Sequence, residues 1–254
     1  MGAMKLDEVV SFLDRELDIA AFSDVSNNGL QVANSGTVSR VCCGVDASLD
    51  FFEAAAAKGA DLVVVHHGMS WGDSLKRVTG LNYRLVSFLV RHDIALYACH
   101  LPLDAHPSLG NNARLAALLG LRDIVPFGTY HGQKIGFNGV FPKALPYSAV
   151  RDLVASRISP NLAEMKFGPE TVRSVGIVSG GASDMVEEAA AEGLDLFLSG
   201  EASLVGYNLA RHLSMNAIGA GHYATERFGV EAVGGLLAKT FGIPAELIDL
   251  GIPY

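Results

Sequence analysis

One strand–helix–strand pattern occurs twice in this chain, and that repeat limits the folds open to it. Val41 to His67 reads VCCGVDASLDFFEAAAAKGADLVVVHH, and Val175 to Glu201 reads VGIVSGGASDMVEEAAAEGLDLFLSGE. At an offset of 134 residues, Glu53 meets Glu187, Ala57 meets Ala191, Gly59 meets Gly193 and Asp61 meets Asp195. Each copy passes from a short apolar strand through a turn into an alanine-rich amphipathic helix, then Gly-x-Asp, then a second apolar run. Glycine after the helix tolerates the left-handed backbone that closes a helix. Strand, helix and strand at this spacing form a βαβ unit, whose crossover is right-handed.

The similarity continues downstream. RHDIALYACHLPLD (Arg91 to Asp104) and RHLSMNAIGAGHYATE (Arg211 to Glu226) each hold a helix end, a strand and then His-x-x-x-acid. His100 and His222 are 122 residues apart, as are Asp104 and Glu226, so the first half has a net longer connection between its two blocks. LGNNARLAALLGL and FGVEAVGGLLAKTFGI then both read as helices. Two blocks matching in the same order indicate internal duplication. The expected fold is therefore α/β, with two pseudo-repeated halves at residues 1–126 and 127–254. They divide near LRDIVPFGTYHG (Leu121 to Gly132), read as a Pro/Gly-containing turn region. After it, KIGFNGVF reads as strand with a turn and SAVRDLVASRI as helix. KLDEVVSFLDREL is an amphipathic helix with Leu6, Val9, Val10, Leu13 and Leu17 on one face. No low-complexity linker separates the halves, so they are expected to pack together.

Composition narrows the function. With 254 residues, half of them hydrophobic, the chain can bury a sizeable core. The net charge of -8 argues against a general nucleic-acid binder. Cys42, Cys43 and Cys99 show no zinc-type spacing and read as core thiols of a reducing compartment. No apolar run is long enough to span a bilayer and no leader sequence is recognisable, so a cytoplasmic protein with no membrane partner is expected.

Loops at the carboxyl ends of parallel strands are where ligands bind in α/β proteins. Three segments place polar groups there: His66-His67 after ADLVVV, His100-x-x-x-Asp104 after DIALYAC, and His222-x-x-x-Glu226 after MNAIGAG. Imidazole and carboxylate are common ligands of first-row metals. Adjacent residues leaving a strand point in different directions, so His66 and His67 suit two neighbouring ions better than one. A carboxylate can bridge such a pair, and two ions about 3.5–4 Å apart activate water and steady a leaving oxygen. His222 and Glu226 share a helix face; Pro102 makes an ordinary helix less suited to His100 and Asp104. His92, His106 and His212 read as structural. His131, in the Gly-flanked GTYHGQK loop, is a candidate pocket residue, as is Trp71 after the histidine pair. VSGGAS (Val178 to Ser183) reads as a tight strand-to-helix turn, with an anion cradle as the alternative use of its N–H groups.

NNGLQV (Asn27 to Val32), VVVHHGMSW (Val63 to Trp71), HLPLDA (His100 to Ala105) and GAGHYATERFGV (Gly219 to Val230) resemble the Nif-three-like family. Its members are catalogued as GTP cyclohydrolase 1 type 2 homologues, or dinuclear-metal-centre hexameric proteins. The resemblance runs from about Lys5 to the C-terminus. It implies two divalent ions per subunit; the identity is open, since nitrogen and oxygen ligands suit zinc, iron, manganese, cobalt or nickel. His66 and Asp104 would serve one ion, His67 and His222 the other, and Glu226 would bridge them. His100 would stand beside the centre as an orienting group or proton carrier. His67 aligns with Glu201 and His66 with Gly200, so the second half lacks the histidine pair and one composite site is expected. Trp71, His131 and Glu201 are the substrate-binding candidates, and Tyr223 and Thr225 are expected to hydrogen-bond around the last ligand pair. The family likeness further implies a homo-hexameric ring and a metal-dependent hydrolase using metal-activated water. A nucleotide-like or phosphorylated, anionic small molecule is the expected substrate. The alternative is a non-catalytic metal-binding ring acting as a scaffold or in metal handling. Open, water-bearing metal positions would favour the enzyme and closed shells the scaffold.

Overall fold

In a computed structural model describing residues 2–254, the chain forms two compact units. One runs to Leu103 and regains Gly229–Leu250; the other comprises Asp104–Phe228 and Gly251–Tyr254. The first begins with β1 (Met4–Lys5), α1 (Leu6–Glu16), β2 (Gly29–Val32), β3 (Thr37–Val38) and β4 (Val41–Asp46). It continues through α2 (Leu49–Ala57), β5 (Leu62–His67), α3 (Gly80–Arg91) and β6 (Ala95–Ala98) to the one-turn α4 (Leu101–Asp104). The second holds α5 (Asn111–Leu119), β7 (Arg122–Tyr130), β8 (Gln133–Pro146), α6 (Tyr147–Arg157), β9 (Ala163–Lys166) and β10 (Thr171–Val178). It then runs through α7 (Val186–Ala191), β11 (Leu196–Ser199), α8 (Leu204–His212) and β12 (Asn216–Gly219) into α9 (His222–Phe241). From Gly229 onward α9 belongs to the first unit, as does β13 (Ala245–Leu247).

The repeat is visible in both sheets. In the first unit the strand order is β13-β4-β5-β6-β2, with β2 antiparallel to β6 and the other neighbours parallel. In the second it is β7-β8-β10-β11-β12-β9, with β10, β11 and β12 parallel and β9 antiparallel to β12. The parallel triplets β4-β5-β6 and β10-β11-β12 thus carry matching antiparallel strands beside their third members. The βαβ connections run through α2 and α3 in one unit and α7 and α8 in the other. Strand β5 is buried at every position from Leu62 to His66, the pattern of a strand covered on both faces. Phe51, Phe52, Leu89 and Leu96 pack against Val63 and Val65 in the first core. Val150, Val154, Val175, Leu196 and Ile218 build the second.

The repeated Gly-x-Asp has a mechanical role in each unit. Gly59 (φ 72°) and Gly193 (φ 70°) turn the chain out of α2 and α7. Two residues later, the Asp61 carboxylate accepts from the N–H groups of Ser39 and Arg40, just ahead of β4. Asp195 likewise accepts from the N–H groups of Arg173 and Ser174 in β10. Each aspartate ties the start of one strand to the start of its parallel neighbour. Gly234, inside α9, permits a close approach: a Cβ there would sit 2.9 Å from Cys43 Sγ on β4.

Two sequence readings change. LRDIVPFGTYHG is largely strand β7, with the turn reduced to His131 and Gly132. Pro126 is tolerated because β7 is an edge strand, where a missing N–H need not break a ladder. KIGFNGVF runs without a turn through β8. The expected division at 126/127 falls inside β7, whereas the compact units part at 103/104 and the chain after Phe228 returns to the first.

Candidate metal centre

In the first unit, β4, β5 and β6 end side by side, and their carboxyl ends carry Asp46, the His66–His67 pair and His100. The ring centroids of His66 and His67 are 4.7 Å apart, those of His66 and His100 5.1 Å. A nitrogen from each of these three imidazoles lies within 4.8 Å of the others, close enough to hold a metal ion. Every ring is oriented through Nδ1. His66, wholly buried, has Nδ1 2.9 Å from the Cys99 carbonyl oxygen. Register pairs Asp46 with His67, and Asp46 Oδ1 lies 2.8 Å from His67 Nδ1. His100 Nδ1 is 3.0 Å from Asp24 Oδ1. A carbonyl or carboxylate oxygen can only accept, so Nδ1 carries the hydrogen and Nε2 keeps the lone pair that a metal needs.

Asp24 does more than orient His100. It accepts from Asn28 Nδ2 at 3.0 Å, from the Ser26 N–H at 3.0 Å and from the Leu101 N–H at 3.0 Å, where it caps α4. Burial pushes its pKa up, but the hydrogen bonds from His100, Asn28 and Ser26 outweigh that and hold it at about 2. NNGLQV proves to be a clamp on the loop after the histidine pair. Gln31 Oε1 accepts from the N–H groups of Met69 and Ser70 at 2.8 and 3.1 Å. Asn27 Nδ2 donates to Ser70 Oγ at 2.7 Å and to the Gly72 carbonyl at 3.0 Å. A side chain on Gly68 would run into Gln31. The clamped loop presents Trp71, whose Nε1 donates to the Gly68 carbonyl at 2.7 Å and whose ring meets His100 edge-on at 5.0 Å.

The second unit gathers Asp104, His222 and Glu226. Carboxylate oxygens of Asp104 and Glu226, both buried, lie within 4.8 Å of each other. One helical turn separates His222 from Glu226, and His222 Nε2 is 3.1 Å from Glu226 Oε2. His222 Nδ1 is 2.7 Å from Glu201 Oε1. The Glu226 hydrogen bond raises the His222 pKa to about 9; burial opposes this, and the Glu226 charge and Glu201 reinforce it.

The turn after β10 frames these ligands. Gly180 adopts φ 65°, and a Cβ there would collide with Glu226 Oε1 and crowd His222 Nε2. Gly180 N–H donates to Thr225 Oγ1 at 3.1 Å, and the Gly180 carbonyl accepts from Ser199 Oγ and the Glu201 N–H. Ser179 N–H donates to Asn112 Oδ1 at 2.7 Å. These N–H groups of VSGGAS are thus committed within the protein, which favours the tight-turn reading over an anion cradle.

The remaining candidates fall elsewhere. His131 sits at the β7–β8 hairpin tip with its ring against Tyr130. Thr225 hydrogen-bonds as expected, while the Tyr223 N–H donates to the Tyr254 carbonyl. His92 stacks on Phe88. Burial pushes the Cys42 and Cys43 thiols up to about 11 and about 12, as befits inert core residues. The sequence reading missed Asp24, Asp46, Asn111 and Ser179. Asp46 was within reach, because it ends a strand just as the histidine pair does; Asp24 lies in a loop with no periodic signal.

A family model described as Duf34/NIF3 (NGG1p interacting factor 3) matches residues 4–250. The chain belongs to the Duf34/NIF3 family. A Duf34/NIF3-like relative from Pyrococcus horikoshii, named GTP cyclohydrolase 1 type 2 homolog, is 42% identical over 247 residues, covering 97% of this chain and 98% of that one. A protein of the same name from Deinococcus radiodurans is 40% identical over 248 residues, covering 98% and 94%. Among solved structures, protein ybgI, titled as of unknown function, matches with TM-score 0.91 and 35% identity over 99% of this chain and all of that one. TTHA1606 from Thermus thermophilus matches with TM-score 0.90 and 36% identity over the same shares. The recognised Duf34/NIF3 signatures therefore sit on the strand ends and on the clamp that supports them.

Proposed function

We propose that this Duf34/NIF3 chain is a dinuclear-metal-dependent hydrolase, similar to the GTP cyclohydrolase 1 type 2 homologues, that acts on a nucleotide-like or phosphorylated small molecule. The observation that carries the reading is the common orientation of His66, His67, His100 and His222, each with Nδ1 held by an oxygen at 2.7–3.0 Å. His92 also bonds a carbonyl through Nδ1; what supports the metal reading is that these four rings, so oriented, also lie in groups of side chains close enough to hold an ion. In this reading the two ligand sets serve one pair of divalent ions. By the family likeness, His66 and Asp104 would hold one, His67 and His222 the other, and Glu226 would serve both. Zinc, iron, manganese, cobalt and nickel all suit such nitrogen and oxygen donors. When bound, the ions supply a water with pKa near 7 as the nucleophile.

Two divalent ions and two carboxylates leave a net charge of about +2, which favours an anionic group on the substrate. A cavity of about 650 Å³ in the second unit borders His222 and Glu201, with Asn161, Leu162 and Tyr254 on its wall. No lysine or arginine lines it, so the substrate's anionic end belongs on the metals and its remainder in this cavity. The assembly proposed is a homo-hexamer in the cytoplasm; no helix among the described residues is long and apolar enough to cross a membrane.

The test is turnover by metal-loaded protein on a panel of nucleotides, GTP included, and phosphoesters. Activity lost in Asp104→Ala supports the reading. A metal-bound protein with no turnover, and with no exchangeable water on either ion, would leave it a scaffold instead.

A further inference from the structure

Asp104 stands at the end of α4, and two side chains grip its carboxylate oxygen Oδ1. Oδ1 accepts from Asn111 Nδ2 at 2.9 Å and from Ser179 Oγ at 3.1 Å. The two donors come from distant parts of the second unit. Asn111 opens α5; Ser179 follows β10. Both are themselves fixed. Asn111 and its neighbour Asn112 are wholly buried. Asn112 Oδ1 accepts from the Ser179 N–H, while its Nδ2 donates to the carbonyls of Asp104 at 3.3 Å and Ile135 at 2.8 Å. The backbone carbonyl of Asp104 is thus tied to α5, and its carboxylate to both α5 and the segment after β10.

Two hydrogen bonds on one oxygen have a chemical consequence. They draw electron density from Oδ1 and block rotation of the carboxylate, because turning it would forfeit both bonds in a buried site. We propose that Asn111 and Ser179 are positioning residues that present Asp104 to the metal through Oδ2 alone, and so tune the site to compact first-row divalent ions. A larger ion such as calcium takes six to eight oxygens and often both oxygens of a carboxylate, which this grip opposes. The inference rests on the proposed role of Asp104 as a metal ligand and adds the residues that set its mode of binding.

Cobalt(II) is the probe. Wild type, Asn111→Ala, Ser179→Ala and Asp104→Ala are compared by chelator competition, by the visible spectrum of the bound ion, and by the melting temperature without metal. Ser179→Ala removes a single hydroxyl and keeps the question open to test should Asn111→Ala fold poorly. The expected result is a loss of about 10- to 100-fold in cobalt affinity for each positioning variant, a changed visible spectrum, and a smaller preference for cobalt over calcium. Unchanged affinity and spectrum in both, with only the metal-free melting temperature lowered, would make them plain structural residues and overturn the proposal. That outcome, set beside metal binding by wild type and its loss in Asp104→Ala, sinks this inference alone. Absence of cobalt binding by wild type would sink the metal reading beneath it.

Discussion

Glu201 Oε1 lies 2.7 Å from His222 Nδ1, although Glu201 occupies the place in the repeat that His67 holds in the first half. The duplicated strand end differs between the copies: one ends in an imidazole placed where it could hold a metal ion, and the other orients the imidazole that opens α9. The spacing is kept, since Asp46 stands 21 residues before His67 and Glu201 stands 21 before His222. Glu201 is a substrate-binding candidate by sequence; the structure adds that its carboxylate orients the His222 ring.

Glu201→Gln should therefore weaken metal binding while leaving the fold intact. The neutral amide still has an oxygen to accept from Nδ1, but it no longer adds negative charge behind the ring. A loss of about 10-fold is expected, rising towards 100-fold for Glu201→Ala. Chelator competition measures both, and equal affinity in all three proteins would contradict the assignment.

Gly180→Ala should be more damaging than its size suggests. The added methyl meets Glu226 Oε1, and the backbone at φ 65° penalises any side chain. Stability should fall by about 1–3 kcal/mol, and metal uptake should fall further than stability does. Denaturant titration with and without metal separates the two effects.

Glu188 supplies a pH test away from the metal ligands. It accepts from the Thr129 N–H at 2.7 Å and pairs with Lys134 Nζ at 2.5 Å, tying α7 to the β7–β8 hairpin. Burial raises its pKa, but the Lys134 and Thr129 hydrogen bonds and the Lys134 charge outweigh burial and hold it below the ordinary carboxylate range. A depressed folded-state pKa contributes stability above the unfolded value, and that contribution disappears as pH falls through the folded value. The difference in stability between wild type and Glu188→Gln should thus be present at neutral pH and shrink on acidification below the normal glutamate pKa. Urea midpoints across that range test it, and a difference that grows in acid would refute the sign.

The paired aspartates of the repeat give a fourth expectation. Asp61→Ala and Asp195→Ala each strip acceptors from two backbone N–H groups at a strand start. Each should cost about 1–3 kcal/mol, and because they lie in separate units, their costs should add in the double variant. Thermal or chemical unfolding of the four proteins provides the comparison.

What could be read beforehand was what is local or periodic. The βαβ grammar, the glycines closing α2 and α7, and the polar residues ending β5 and α4 all announce themselves within a few positions. Pro126 and Gly128 misled because they carry turn chemistry in isolation, and only the edge position of β7 in the finished sheet makes them acceptable in a strand. The pairing of β13 with β4 joins residues about 200 positions apart. Nothing local signals it, so the return of the chain to the first unit went unread. Asp24 was missed for a related reason, as its partners His100 and Leu101 lie more than 70 residues away.

Trp71 is the chain's single tryptophan, and it is edge-on to His100 at the mouth of the histidine cluster. Indole emission from the native protein therefore originates at that one place. A paramagnetic ion quenching it, or a ligand shifting its wavelength, would be seen against no background from elsewhere, so occupancy can be followed in real time without attaching a dye.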